Sequence, residues 1–128
     1  MNKIDKLHSW AGMVESHEFS SWEELPDIDL YMDQVKTYMN KQLSLFKRSP
    51  DDKLLTSSMV NNYVKNEMIP APTKKKYNRE HLSSLIIICM LKQVLTIPDI
   101  AAMVESYHTE STPKELHDVF REIGRAHV

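Results

Sequence analysis

Apolar residues recur along this chain with the spacing of α-helices, and no alternating run is long enough to predict a core strand. A first helix is expected at residues 3–16, and a long helix from Ile28 to Phe46 carries one broad apolar stripe. The stripe consists of Tyr31, Met32, Val35, Tyr38, Met39, Leu43 and Phe46. Residues 47–53 then form a polar connector.

The middle of the chain predicts a short helix with two different faces. Thr56 is the expected N-cap of a helix at residues 57–66, and Pro70 lies just beyond its end. At 100° per residue, its apolar and polar side chains fall on opposite faces. The apolar face holds Met59, Val60, Tyr63 and Val64, and the polar face holds Ser58, Asn61, Asn62, Lys65 and Asn66. Residues 69–73 are expected to be extended because prolines restrict the backbone there, and a lysine run follows at 74–76.

Three further helices are predicted in the C-terminal half. Asn78 is expected to cap a helix that runs to about Leu95 and is apolar on nearly every side, which makes it the central buried helix. Thr96 starts a helix of two to three turns. Thr112 starts a last helix that ends at Gly124. The apolar stripe of this helix comprises Leu116, Val119, Phe120 and Ile123. The sequence thus predicts an all-α fold.

Length and composition narrow the class of protein. A chain of 128 residues fits one domain with one core. With only two glycines, Gly12 and Gly124, the chain has no glycine-rich loop for a phosphate or dinucleotide. The single cysteine, Cys89, has apolar neighbours, which predicts a buried thiol and a cytoplasmic protein. The apolar run 85–91 is far shorter than the ~20 residues that cross a bilayer, so we expect no membrane role.

The net charge of -2 hides a basic middle segment. Residues 53–79 carry six Lys or Arg against one Asp or Glu, whereas residues 1–52 carry six against ten and residues 80–128 four against seven. This asymmetry predicts one basic face on an otherwise acidic body, a charge pattern that suits nucleic-acid contact. A helix with small polar and amide groups can enter the major groove, where asparagine pairs with adenine and lysine reaches guanine or phosphate. The same pattern also fits a surface helix beside a solvated lysine turn.

A resemblance to a known family favours DNA binding. The segment LTSSMVNNYVKNEMIP, residues 55–70, resembles the recognition helix and following turn of MerR-like winged helix-turn-helix regulators. The likeness continues through Pro72, the lysine run, YNREHL at 77–82 and LTIPDI at 95–100, and it covers about residues 55–104. LYMDQ at 30–34 and NYVK at 62–65 are also similar to an uncharacterised bacterial family of domains of unknown function, itself MerR-like in sequence.

These observations together predict a non-enzymatic transcription regulator that binds double-stranded DNA as a homodimer and needs no cofactor. The expected domain, residues 1–128, is a MerR-like helix-turn-helix core at 51–106 with a short wing, flanked by a helical part at 1–50 and a C-terminal helix at 107–128. Helix 57–66 would lie in the major groove and the basic wing 74–79 on phosphates. The expected DNA-binding residues are Ser57, Ser58, Asn61, Asn62, Lys65, Lys74, Lys75, Lys76, Tyr77 and Arg79.

Departures from the family pattern support an alternative. Asn61 stands where the family usually has arginine, the wing is shorter, and residues 47–55 replace a tight turn. The alternative is a non-enzymatic helical protein-interaction module that has lost DNA binding. No metal site is expected, since the six histidines form no His-x-x-x-His pair. The apolar stripes of the helices at 28–46 and 113–124 either pack within the chain or form a two-fold interface.

Overall fold

The computed structural model describes residues 20–44, 51–93, 95–108 and 112–126, with the single positions 4, 47 and 49. This part of the chain contains five α-helices: α1 (Met32–Gln42), α2 (Ser57–Lys65), α3 (Arg79–Leu91), α4 (Ile97–His108) and α5 (Pro113–Ala126). A 3₁₀ turn at Trp22–Glu24 precedes them, and two short strands are β1 (Leu30–Tyr31) and β2 (Lys76–Tyr77). The fold is therefore mostly helical, as predicted. Apart from position 4, the helix predicted at 3–16 lies outside the described residues.

A two-stranded sheet accompanies the helices of this mostly helical fold. Leu30 pairs with Tyr77 and Tyr31 pairs with Lys76 in an antiparallel register, so α1 begins only at Met32 and not at residue 28. Each strand has two residues, which is too short for an alternating pattern to show in the sequence. Leu30 and Tyr77 are buried, whereas Tyr31 is exposed, so one face of the sheet closes the core.

The helix α3 forms the centre of the molecule. Every side chain from His81 to Leu91 is buried, which confirms the prediction of a central apolar helix. Asn78 caps it as expected, because its Oδ1 accepts a hydrogen bond of 3.1 Å from the backbone N–H of His81. The helix ends at Leu91 and not near Leu95, since a turn at 92–93 follows.

The other elements cover this helix with apolar side chains. α3 contacts α1, α5 and β2, and α5 also contacts α4 and the 3₁₀ turn. Both apolar stripes that could have formed a two-fold interface are used within the chain: Val35 and Met39 of α1 are buried, as are Leu116 and Phe120 of α5. α5 continues to Ala126, past the predicted end of the helix. Among the described residues, no helix is long and apolar enough to span a bilayer.

A polar chain crosses the core between α3 and α5. The hydroxyl of Ser83 lies 2.7 Å from Nδ1 of His117, and Nε2 of the same ring lies 2.8 Å from the backbone oxygen of Ser20. Because a carbonyl oxygen can only accept, Nε2 carries the proton and Nδ1 accepts from the Ser83 hydroxyl. Burial lowers the pKa of His117 below its usual value, so the ring is neutral at pH 7.

We expect stability to decrease in mild acid because of this histidine. His117 in the unfolded chain binds a proton near pH 6.5, at which the buried ring remains neutral, so acid favours unfolding by at most about 1.4 kcal/mol per pH unit. The contribution is fully present above about pH 6.5 and is lost as the pH falls toward the lowered pKa. Denaturant titrations across this range measure the effect. His117→Gln replaces the ring N–H by a side-chain amide donor and removes the titrating group, so the stability of the variant should change less with pH. Equal slopes of stability against pH in both proteins would show that His117 is not the group responsible.

Candidate nucleic-acid interface

The helix α2 has the two faces that its sequence predicts. Thr56 caps it through a hydrogen bond of 3.2 Å from the N–H of Met59 to its hydroxyl oxygen. Val60 and Tyr63 are buried in the core and fix the rotation of the helix about its axis. The opposite face is exposed and carries Ser58, Asn61, Asn62 and Lys65, whereas Ser57 is half-buried. Two amides, a hydroxyl and an ammonium group are thus accessible on one helix face.

A backbone motif ends α2 sharply. Glu67 has a φ of 57°, in the left-handed region, and its N–H donates to the oxygen of Val64 at 3.1 Å. The N–H of Met68 donates to the oxygen of Tyr63 at 2.9 Å, which completes a Schellman motif. Met68 and Ile69 are buried directly after this motif, so the chain leaving α2 is fixed to the core.

The lysine run forms the tip of a tight hairpin. Thr73 and Lys76 exchange backbone hydrogen bonds of 3.1 and 2.9 Å, which leaves Lys74 and Lys75 as the two central residues of the turn. Their φ angles are 52° and 64°. Such a type I′ turn usually contains Asn-Gly, since a left-handed residue with a Cβ costs roughly 1–2 kcal/mol. Here lysines occupy both left-handed positions despite that cost, and both side chains are exposed.

His81 joins the base of this hairpin to α3. Its Nδ1 accepts from the N–H of Asn78 at 3.0 Å, and its Nε2 lies 3.1 Å from the oxygen of Pro70 and 3.3 Å from that of Ala71. The ring therefore carries its proton on Nε2 and donates toward the proline-rich segment. Tyr77 packs on the His81 ring edge-to-face, with centroids 5.2 Å apart. The turn is consequently held from both sides of its base.

The charges of the hairpin differ in their surroundings. In the part of the chain that the structure describes, Lys74 and Lys75 form no ion pair with a carboxylate. Lys76 is half-buried, and its ammonium group lies 5.3 Å from the centroid of the Tyr31 ring. This cation–π contact joins the two strands and orients the third lysine. The structure therefore brings the three lysines together in one turn.

Two of the expected DNA-binding residues lie elsewhere. Tyr77 is buried, with 4% of its surface exposed, because β2 turns its ring into the core, so it belongs to the core and not to an accessible face. Arg79 forms an ion pair with Asp27 at 3.3 Å, and its guanidinium lies 5.6 Å from the centroid of the Trp22 ring. Its partners are thus an acidic residue and an aromatic ring that lie more than 50 residues earlier in the chain, so no local pattern predicts these contacts.

Sequence reasoning missed a second basic cluster. Lys36, Lys41, Lys47 and Lys53 line a groove beside the start of α2, together with Ser57 and Ser58. These lysines are spread over α1 and the connector, so no basic run marks them in the sequence. The one signal in the sequence that could have revealed them is the irregular recurrence of lysine after residue 35. This recurrence falls in a segment where acidic residues outnumber basic ones.

The buried thiol agrees with the sequence analysis. Cys89 is 2% exposed, and burial raises its pKa to about 12. Its thiol therefore stays protonated at neutral pH and is a packing group. Among the described residues, no three His, Cys, Asp or Glu side chains are grouped in a way that could hold a metal ion.

Comparison with known proteins identifies a family. The family described as "Domain of unknown function (DUF1836)" matches residues 20–123. This match agrees with the resemblance to a family of domains of unknown function, and its description states neither an activity nor a fold. No curated protein and no solved structure matches the chain.

Replacing the two central lysines by Asn-Gly should stabilise the protein. Asn and Gly adopt the left-handed conformation at a lower cost than lysine does. We therefore expect Lys74→Asn with Lys75→Gly to raise the free energy of unfolding by about 1–2 kcal/mol. Denaturant unfolding measures it. The matched control, Lys74→Ala with Lys75→Ala, removes the same two charges and keeps both Cβ atoms. An equal gain in the control would show that charge repulsion, and not backbone conformation, destabilises the turn.

Proposed function

This chain belongs to the DUF1836 family, whose description assigns no activity, and we propose that it is a sequence-specific DNA-binding transcription regulator with a MerR-like winged helix-turn-helix. In this proposal α2 lies in the major groove and the Thr73–Lys76 turn acts as a short wing on the phosphates. The observation that carries it is the pair of exposed lysines in the left-handed tip of the hairpin. Residues held in unfavourable backbone conformations cluster at functional sites.

The exposed face of α2 suits direct readout of base edges. A helix of nine residues is about 14 Å long, comparable to the ~12 Å width of the major groove. The amides of Asn61 and Asn62 are exposed and can each donate to and accept from adenine. Since Val60 and Tyr63 fix the rotation of the helix, these amides need no rearrangement of the core to reach a base.

The proposed phosphate contacts come from Lys65 and the lysines of the hairpin. Lys74 and Lys75 lie at its tip, and Lys76 is oriented by Tyr31. Arg79 is left out of these contacts because Asp27 already engages it. Three or four phosphate contacts per subunit from these residues contribute about −3 to −4 to the slope of log affinity against log salt.

The homodimer expected from the sequence stays a prediction. Among the described residues, Val35 and Met39 of α1 and Leu116 and Phe120 of α5 are buried within one chain, whereas Tyr31 and Val119 are exposed. A dimer on a two-fold symmetric DNA site would double the salt slope to about −6 to −8. Sedimentation of the protein with and without duplex decides between the two stoichiometries.

One observation favours the alternative of a protein-interaction module. Ile28 lies just before β1 and is 68% exposed, and Tyr31 lies in β1 and is 53% exposed. Together they provide apolar surface near the hairpin. A partner protein would bind such a surface with little dependence on salt, since burial of apolar area and not counterion release would drive the association.

Fluorescence anisotropy with a pool of random duplexes at two salt concentrations tests the proposal. We expect salt-dependent binding and, after selection, an enriched sequence. Asn62→Ala should cost about 1–3 kcal/mol on that sequence and reduce discrimination, whereas Lys75→Ala should weaken all duplexes alike and lower the salt slope by about one.

Lys92→Ala is the matched control for the second variant, because Lys92 follows α3 at the end opposite the hairpin. It should bind like the unmodified protein. A folded protein that binds no duplex at low salt would overturn the proposal and favour the interaction module. Equal losses from Asn62→Ala and Lys75→Ala on every duplex would exclude direct readout by α2.

A further inference from the structure

A groove of about 970 Å³ lies between the second half of α1, the connector and the first turn of α2. Four lysines line it, Lys36, Lys41, Lys47 and Lys53, and we call it the lysine groove. Lys41 and Lys53 are exposed, and Lys36 and Lys47 are half-buried. The groove adjoins α2 at the end opposite the one from which the chain continues to the hairpin.

The charge of the lysine groove is positive although the N-terminal part of the chain is acidic. Its lining contains two carboxylates, Asp51 and Asp52, against four ammonium groups. Lys36 also lies 3.4 Å from Asp33 on the same helix. For Lys41, Lys47 and Lys53, the structure records no ion pair within the residues it describes. These three charges are therefore available to an anion that enters the groove.

Hydrogen bonds from Asn40 set the shape of the lysine groove. Its Nδ2 donates to the oxygen of Leu55 at 3.4 Å and to that of Lys36 at 2.8 Å, and its Oδ1 accepts from the N–H of Leu54 at 3.0 Å. Leu55 is buried, with 1% of its surface exposed. The end of the connector is thus tied to α1, and the start of α2 is held beside the lysines.

We propose that the lysine groove is a second contact with the phosphate backbone of DNA, beside the N-terminal end of α2. The inference rests on the proposed function, in which α2 lies in the major groove. A helix in that groove has a phosphate backbone along each edge, so basic side chains beside either end of the helix can contact phosphates. Ser57 and Ser58 line the lysine groove and start α2, so the two surfaces are continuous. The positive end of the α2 dipole adds to the field of the lysines there.

The form of the lysine groove fits a chain of phosphates. Lys36 and Lys41 come from α1, and Lys47 and Lys53 from the two ends of the connector, so separate parts of the chain supply the charges. Distributed point charges suit a backbone that carries one phosphate after another, because each lysine can neutralise a different phosphate and release its counterions.

The double substitution Lys41→Ala with Lys53→Ala tests the proposal through salt dependence. Both side chains are exposed, so the fold should be retained, and circular dichroism checks this. We expect the salt slope of DNA binding to fall by about two and the affinity to drop similarly on every duplex, with the selected sequence unchanged. The variant Lys41→Arg with Lys53→Arg keeps both charges and should restore the slope.

Lys92→Ala with Lys114→Ala removes two positive charges outside the lysine groove and should leave the slope unchanged. Lys114 lies on α5, where it pairs with Glu23 and Asp118. If the unmodified protein binds DNA and Lys41→Ala with Lys53→Ala keeps its slope, the lysine groove is not a phosphate contact and the proposed function stands. An equal loss in the Lys92 and Lys114 control would also overturn the inference, since net charge would then explain the effect. If the unmodified protein binds no duplex at low salt, both proposals fail.

Discussion

The burial of α3 determines how the other elements of the fold are arranged. A helix that is apolar on nearly every side needs neighbours on every side, and α1, α5 and the small sheet provide them. The N-terminal cap of the same helix positions the candidate interface, because His81 bonds both to the cap residue Asn78 and to the oxygen of Pro70. Core packing and the placement of the hairpin are therefore linked through one side chain.

The charges of the folded protein are not arranged simply by the three sequence segments 1–52, 53–79 and 80–128. Arg79 belongs to the basic segment by position, yet it pairs with Asp27 and lies over Trp22, so it ties α3 to the acidic N-terminal region. Lys41 and Lys53 lie in or beside that acidic region and line the groove at the start of α2. Accessible positive charge consequently occurs beside the first turn of α2 and in the hairpin that follows it, although the net charge of the chain is -2.

The sequence predicted features that depend on local chemistry. The faces of α2 and the caps Thr56 and Asn78 follow from helical periodicity and from side chains that bond to nearby amides. It did not predict β1, since two residues show no periodicity. The burial of Tyr77 and the pairing of Arg79 depend on residues distant in the sequence, and a pattern of neighbouring residues does not reveal such contacts. The lysine groove was missed for the same reason.

We propose that α2 and the hairpin form one DNA-binding surface supported by α3. The most direct test is to follow the backbone amide NMR signals while a selected duplex is added at low salt. We expect shifts to concentrate at Asn61, Asn62 and the turn at 73–76, and the amides around Trp22 and Arg79 to change little. Shifts confined to the region of Trp22 and Arg79, or no shifts at all, would show that α2 and the hairpin do not bind DNA.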